Sequence, residues 1–259
     1  MPFTLAHPAA VLPLARRPLV ASALVAGAVA PDLLYVDPIY RFATQYINGN
    51  FTLTLTHEFT SAFWLDPLLA LLLLAVFDLV LKRPLIALAP ASLAARLPVA
   101  TGFPPFRWSV VSAVLGALTH VIWDSFTHGD GYFVRQLPGV FRATVTPAWD
   151  VNRILQYVST LGGCLVLAIW LYRWYRRTAP SVTPRDPVAP WVRYLVVAGG
   201  LLLAATGAIV EVGRAEGDLS GETAVRLVLS GLVSGGLAAL AWYVVVWHLI
   251  RLRRRVVTL

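Results

Sequence analysis

The chain has 259 residues, of which 58% are hydrophobic and 13% are charged, and its formal net charge is +8. Soluble domains are about one quarter charged, so this composition excludes an ordinary soluble domain and indicates an integral membrane protein. The positive charge does not indicate nucleic-acid binding, because the basic residues lie beside apolar segments rather than in a basic stripe.

Six apolar segments, each near the ~20 residues that cross a bilayer, predict six transmembrane helices. They lie at residues 18–35, 62–81, 108–127, 158–175, 190–212 and 223–250. The predicted fold class is therefore all-α, a polytopic membrane helix bundle. We divide it into a membrane domain at 1–178, which holds the candidate metal ligands described below, and a two-helix C-terminal membrane extension at 179–259.

The segment HPAAVLPLARRP precedes the first span and predicts a short helix that begins at Pro8. If this segment runs straight into the first span, His7 lies on the same side of the membrane as Arg16 and Arg17. If it folds back as a re-entrant or interfacial helix, His7 lies about 13 Å further along the membrane normal than those arginines. The basic start and small-residue end of LARRPLVASALVAGAVAP also resemble a secretory signal, but Pro31 after the potential cleavage site disfavours cleavage.

Basic connections alternate with mixed or acidic ones along the whole chain. The positive-inside rule then places both termini in the cytoplasm and the mixed connections outside. On this topology Asp32, which ends the first span, and His57, which precedes the second, lie at the outer side. His120, Asp124 and His128 of the third span also fall in the outer half.

The sequence ALTHVIWDSFTHGD places His120, Asp124 and His128 four residues apart, so their side chains share one helix face. His120 and His128 stand about 12 Å apart along the axis, which leaves Asp124 between them as a potential bridge between two ions. Asp32 and His57 would complete a site for one or two divalent ions, and imidazole with carboxylate favours zinc. A proton relay and a purely structural polar network are the alternatives.

Other polar residues near this helix face have separate interpretations. Thr119, Ser125 and Thr127 are predicted to orient the ligands. Asp66 is a candidate outer-shell residue, Asp78 is predicted to pair with Lys82, and His248 is predicted to bond a backbone carbonyl or a head group.

Glu58 is a candidate general base beside His57, with an ordinary surface charge as the alternative. Arg135, Arg142 and Arg153 in the outer connection are candidate phosphate-binding residues, again with surface charge as the alternative.

The blocks MPFTLAHPAAVLPL, APDLLY, THEFTSAFWLDP, GALTHVIWDSFTH and LQYVSTLGG resemble bacterial membrane proteins of domain of unknown function 4184, over roughly residues 1–165. That family is related to predicted membrane-bound metal-dependent hydrolases, which have been compared with zinc-dependent phospholipase C and zinc nucleases. The resemblance implies that His7, Asp32, His57, His120, Asp124 and His128 are metal ligands, and that Gln156 and Ser159 line the site. Glu58 stands where such relatives often have serine, and the last two spans lie outside the resemblance.

These features predict a metal-dependent hydrolase of the bacterial inner membrane, acting at its outer face on a phosphoester of a lipid or lipid-linked substrate. Asp124 and Glu58 are its candidate catalytic residues. The alternatives are a proton- or ion-coupled transporter, a non-catalytic membrane protein with a structural metal site, and a lipid enzyme that does not hydrolyse. Membrane lipids are the predicted partners, and nucleic acid is not.

Overall fold

The computed structural model describes residues 4–46, 54–98, 104–147, 149–181, 187–215, 219 and 221–257. Most of these residues are helical and very few lie in strands, as the all-α prediction requires. Twelve α-helices are described: α1 (Pro8–Val11), α2 (Ala21–Val29), α3 (Asp37–Tyr46), α4 (Leu65–Val76), α5 (Lys82–Leu88), α6 (Ala91–Ala94), α7 (Phe106–Thr127), α8 (Tyr132–Gln136), α9 (Pro138–Phe141), α10 (Val151–Arg177), α11 (Pro190–Arg214) and α12 (Gly221–Val257).

Shorter elements join these helices. Single 3-10 turns lie at Thr4–Ala6, Leu12–Leu14 and Ser61–Phe63, a longer 3-10 segment follows α2 at Ala30–Tyr35, and a π-helical turn at Phe77–Leu81 links α4 to α5. The two short strands β1 (Thr144–Thr146) and β2 (Trp149–Asp150) pair antiparallel just before α10.

Four described helical segments are long and apolar enough to cross a membrane: Phe106–Gln136, Val151–Arg177, Pro190–Arg214 and Thr223–Arg254. They contain the third to sixth predicted spans and indicate a membrane protein. The first predicted span forms a shorter apolar segment, Ala21–Tyr35, and the helix of the second is interrupted by the π-helical turn. The number of six spans and the re-entrant course of the N-terminal segment stay predictions.

The chain divides into two compact units that interleave along the sequence. Unit 1 comprises Met1–Tyr35, Ala43–Val76 and Gly102–Ala179, and unit 2 comprises Val36–Phe42, Phe77–Thr101 and Pro180–Leu259. Unit 1 ends close to the predicted domain boundary at residue 178. The division into a metal-site domain and a C-terminal extension stays a prediction.

The core of unit 1 is built from small residues that let α2 and α7 approach closely. A Cβ atom added at Gly27 would collide with the backbone of Ala113, and one added at Gly116 would lie 2.8 Å from the Ala28 nitrogen. Small residues at helix crossings are typical of membrane bundles, because they allow backbones into van der Waals contact. This crossing holds the end of α2 beside the middle of α7.

The N-terminal segment packs into unit 1 rather than standing apart from it. Val11 is buried with Leu24 and Ala28 of α2. A Cβ atom added at Gly163 of α10 would lie 3.0 Å from both the Cβ and the carbonyl oxygen of Ala6. Pro8 occupies the first turn of α1, as predicted, and the residue before it, His7, is buried.

Unit 2 joins α11 and α12 through a second set of glycines. A Cβ atom added at Gly207, Gly231 or Gly235 would collide with backbone atoms of the opposite helix. Large apolar side chains such as Leu201 and Ile209 are exposed on α11, which suits a surface covered by lipid.

Several polar side chains of unit 2 bond main-chain carbonyls or one another. His248 contacts the Val80 oxygen at 3.0 Å, and Lys82 pairs with Asp78 at 3.0 Å. Both predictions for these residues are confirmed. Arg193 donates to the oxygens of Leu88 and Ala89 at 2.7 and 2.9 Å, and thereby satisfies the last carbonyls of α5.

Candidate metal centre

Asp124 of α7 lies at the centre of a cluster of four imidazoles in unit 1. Its Oδ2 atom is 3.1 Å from His120 Nε2 and 3.3 Å from His128 Nδ1, so the predicted helix face is formed. The same oxygen is 3.6 Å from His57 Nε2, and Oδ1 is 3.4 Å from His7 Nε2. The structure thus brings together histidines from the N-terminal segment, the loop before α4, α7 and the residue that caps its C-terminal end.

Asp32 completes the cluster from the 3-10 segment after α2. Its Oδ1 atom is 3.3 Å from His57 Nε2 and 3.7 Å from His120 Nε2. Its other oxygen accepts a hydrogen bond of 2.6 Å from the Thr4 hydroxyl. All six residues predicted as ligands therefore meet at one place.

The imidazole rings are packed closely against one another. His7 stacks on His120 with ring centres 3.8 Å apart, and His57 is 5.4 Å from His120 and 6.1 Å from His128. His7 and His120 are fully buried, whereas the side chains of His57 and His128 are about one fifth exposed. The cluster is thus closed on the side of His7 and accessible on the side of His57 and His128.

Four residues of the cluster have the spacing that one metal ion requires. Asp32, His57, His120 and Asp124 each offer one ligand atom, and these atoms all lie within 4.8 Å of one another. Metal–ligand bonds of ~2.1 Å at tetrahedral angles put ligand atoms about 3.4 Å apart. The four nitrogen–oxygen distances between these residues are 3.1, 3.3, 3.6 and 3.7 Å, close to that value.

Hydrogen bonding within the protein does not account for the cluster. Asp32 Oδ1, both carboxylate oxygens of Asp124 and Nε2 of His120 are buried and accept or donate no hydrogen bond in the structure. Buried polar atoms without partners are costly, and buried charges need a counter-charge. Two carboxylates carry the charge that a single divalent cation neutralises, so these residues fit a divalent metal.

The orientation of His120 is set from outside the cluster. Its Nδ1 atom lies 2.8 Å from the Ala28 oxygen. A carbonyl oxygen only accepts, so Nδ1 carries the proton and Nε2 directs its lone pair at Asp32 and Asp124 in the neutral ring. This is the arrangement in which a histidine binds metal while its second nitrogen donates to the backbone.

The hydroxyls that orient the ligands are not the ones that the sequence predicts. Thr119, Ser125 and Thr127 contact carbonyl oxygens of their own helix instead of ligands, because a hydroxyl on a helix readily bonds the carbonyl three or four residues earlier. Thr4, which contacts Asp32, and Thr56, whose hydroxyl is 3.2 Å from His57 Nδ1, take that position. Neither belongs to the helix face of His120, Asp124 and His128, so the four-residue spacing on that face could not indicate them.

Asp66 supports the loop that carries His57. The Ser61 hydroxyl lies 2.7 Å from the Glu58 carbonyl oxygen and 2.8 Å from Asp66 Oδ2. The single hydroxyl proton of Ser61 is thus shared between the Glu58 carbonyl and the completely buried Asp66 carboxylate, which ties the start of α4 to this loop.

The remaining predicted site residues are spread around the cluster. Glu58 is exposed beside His57, and Arg135 is exposed on α8. Ser159 accepts a 3.1 Å hydrogen bond from Trp123, whose ring centre is 5.4 Å from that of His7. Ser159 thus supports the wall next to His7.

Arg142 and Gln156 line an open cavity of about 600 Å³ together with His128 of the cluster. This cavity adjoins the accessible side of the cluster. Arg153, the third arginine predicted to bind phosphate, also lines the cavity, so three of the five residues predicted to contact substrate lie where a molecule beside His128 would touch them.

A family model described as Domain of unknown function (DUF4184) matches residues 1–246. The chain belongs to this family. Neither a curated protein nor a solved structure matches the chain. The expectation that the family resemblance ends near residue 165 is wrong, because the match runs through α11 and most of α12. These two helices are nearly uniformly apolar, so no distinctive motif marked them as part of the family.

Proposed function

We propose that this protein is a metal-dependent hydrolase that cleaves a phosphoester of a lipid or lipid-linked substrate at the outer face of the bacterial inner membrane. The observation that supports this proposal most directly is the group Asp32, His57, His120 and Asp124. Their ligand atoms lie within 4.8 Å of one another, and Oδ1 of Asp32 and both carboxylate oxygens of Asp124 are buried without a hydrogen-bond partner. Imidazole and carboxylate ligands favour zinc, and a divalent ion held by these residues would lower the pKa of its bound water and polarise a phosphoryl oxygen.

The protein's own residues take distinct roles in this proposal. Asp32, His57, His120 and Asp124 hold one ion, and Asp124 presents its second oxygen to His7. His7, 3.4 Å from Oδ1 of Asp124, and His128, 3.3 Å from Oδ2, are the residues that would hold a second ion beside the first. Glu58, exposed beside His57, is the proposed proton acceptor for the attacking water.

Hydrolysis in this site forms a bond between the water oxygen and phosphorus and breaks the phosphorus–oxygen bond to the lipid. One proton of the water passes to the acceptor, and the leaving oxygen gains a proton. Asp124→Asn keeps the size of the side chain but removes the charge, so it separates the role of Asp124 from simple packing.

The proposed setting is a six-span bundle with both termini in the cytoplasm, in which the N-terminal segment re-enters the membrane to bring His7 to the cluster. The support is the alternation of basic and mixed connections and the burial of His7 next to Asp124. Membrane lipids are then the immediate surroundings of the substrate.

A structural metal site is the second candidate function. Four protein ligands can close a tetrahedral shell, and such closed shells are typical of structural zinc. The accessible side of the cluster at His57 and His128 favours the hydrolase, because a catalytic ion needs a position for water.

Elemental analysis of the detergent-purified full chain tests the metal site directly. We expect one or two divalent ions per chain in the wild type, a near-complete loss in Asp124→Ala, and wild-type content in His248→Gln, which alters a histidine outside the cluster. Equal metal content in wild type and Asp124→Ala would defeat the proposal.

Release of head groups from a panel of phospholipids and isoprenyl phosphates in mixed micelles tests the hydrolysis. Activity should follow metal content, and Glu58→Gln should lower turnover without removing metal. Bound metal with no turnover on this panel would favour the structural site, and unchanged turnover in Glu58→Gln would make Glu58 a surface charge.

A further inference from the structure

A cavity of about 600 Å³ in unit 1 opens beside the metal centre and has a polar lining. It begins at His128, the last histidine of the cluster, and continues over the start of α10. Its charged and polar lining residues are His128, Arg142, Asp150, Asn152, Arg153 and Gln156.

Two guanidinium groups dominate the charge of this cavity. Arg142 is held at the His128 end, because its Nη2 atom donates a 2.8 Å hydrogen bond to the Gly129 oxygen. A guanidinium has five N–H donors, so this bond positions the group without exhausting it. Arg153 lies over Tyr157, with its central carbon 5.9 Å from the ring centre. Asp150 supplies one opposing charge, and the lining is net positive.

The start of α10 adds to the attraction for an anion. Asp150 precedes α10 and accepts a hydrogen bond of 3.2 Å from the Thr144 hydroxyl of β1. Asn152, in the first turn, donates to the Thr127 oxygen at 3.3 Å and ties this turn to the end of α7. The N-terminus of a 27-residue helix, which carries partial positive charge, therefore faces the same space as the two arginines.

We propose that this cavity is an anion subsite that binds phosphoryl oxygens in the head group of a membrane lipid. The inference rests on the proposed function, because it places the head group of the same substrate next to His128. Arg142 and Arg153 are the binding residues. A planar guanidinium can donate two parallel hydrogen bonds to two oxygens of one phosphoryl group. Gln156, about one turn after Arg153 on α10, lines the same cavity.

Inorganic phosphate is the first probe, measured by calorimetric titration of the detergent-purified full chain after treatment with EDTA. Removing the metal first excludes phosphate that binds an ion. We expect binding to persist in the treated protein, to weaken about tenfold in Arg142→Gln and in Arg153→Gln, and to be partly restored in Arg142→Lys.

Arg135→Gln is the matched control, because Arg135 is an exposed arginine of the same connection outside the set that lines the cavity. Unchanged phosphate affinity in both cavity variants, or weakening of equal size in Arg135→Gln, overturns the subsite. Loss of all binding after EDTA treatment also overturns it, because the phosphate would then belong to the ion.

Competition with lipids distinguishes a membrane source of the anion from a soluble one. Micelles that contain phosphatidic acid should displace phosphate, and matched micelles of neutral diacylglycerol should not. Failure of phosphatidic acid to compete overturns the lipid assignment. These outcomes are independent of the metal analysis: an absent metal with intact phosphate binding defeats the hydrolase and not the subsite.

Discussion

His120 and His248 are both histidines on long apolar helices, and their surroundings differ in one decisive respect. His248 of unit 2 contacts the Val80 carbonyl, in the π-helical turn between α4 and α5. His120 of unit 1 also bonds a carbonyl, that of Ala28, but its second nitrogen faces the carboxylates of Asp32 and Asp124.

This comparison separates a polar group that supports the fold from one that is prepared for a ligand. A π-helical turn disturbs the regular ladder of carbonyl acceptors, and the Val80 carbonyl of this turn has His248 of α12 as a partner. In the cluster, oxygens and nitrogens face each other without hydrogen bonds, an arrangement that a cation between them would stabilise. A buried histidine in a membrane helix therefore indicates a functional site only when both ring nitrogens are considered.

Replacing the two histidines should give the largest contrast. His120→Ala removes a ligand that contacts both carboxylates, and we expect metal affinity to fall by at least about 100-fold. His248→Ala should leave metal affinity unchanged. Competition of each purified variant with a fluorescent zinc chelator measures both values. If both variants lose metal equally, the difference between the two histidines is not one of ligation.

The second-largest effect should come from the close crossing of α2 and α7, and it should appear as a loss of stability. Gly116→Leu forces a side chain against the backbone of α2, and we expect a loss of about 3 kcal/mol, at the upper end for overpacking. The measurement is the thermal midpoint in detergent. Gly162→Ala is the control, because a Cβ atom there meets nothing within 4 Å. A wild-type midpoint for Gly116→Leu would show that the helices do not cross here.

Variants of Asp66 examine how the loop carrying His57 is held. Asp66→Asn keeps an oxygen that accepts from the Ser61 hydroxyl and should retain wild-type metal affinity, whereas Asp66→Leu should weaken it about tenfold. Competition with a fluorescent zinc chelator measures both affinities. Equal loss of metal in both variants would mean that the charge of Asp66, and not its hydrogen bond, serves the site.

The smallest expected effect belongs to the structural contact of His248. His248→Phe removes one hydrogen bond to Val80, and we expect a loss of about 1 kcal/mol of stability with full metal content. The midpoint of thermal unfolding in detergent reports this loss. A drop as large as that of Gly116→Leu would show that the π-helical turn depends on this bond more than the geometry indicates.

The candidate site could be predicted in large part because its signal on α7 is local. Side chains four residues apart share a helix face wherever the helix packs, so His120, Asp124 and His128 were predictable from spacing alone. Thr4 and Thr56 were not, because they contact ligands through segments that are distant in sequence or irregular. His7 could be predicted as a ligand only from the resemblance to a family, because its position along the bundle depends on how the first helical turns fold back.

The amino-acid sequence by itself determined the membrane class, the helical architecture and the kinds of ligand, since apolar length, helical period and side-chain chemistry are properties of the chain. Only the tertiary structure decided which ligands meet, which nitrogen of His120 faces the carboxylates, and that a cavity with two arginines adjoins His128. The physical reason is that convergence depends on helix crossings such as that of Gly27 with Ala113. The sequence records such a crossing only as one small residue among many.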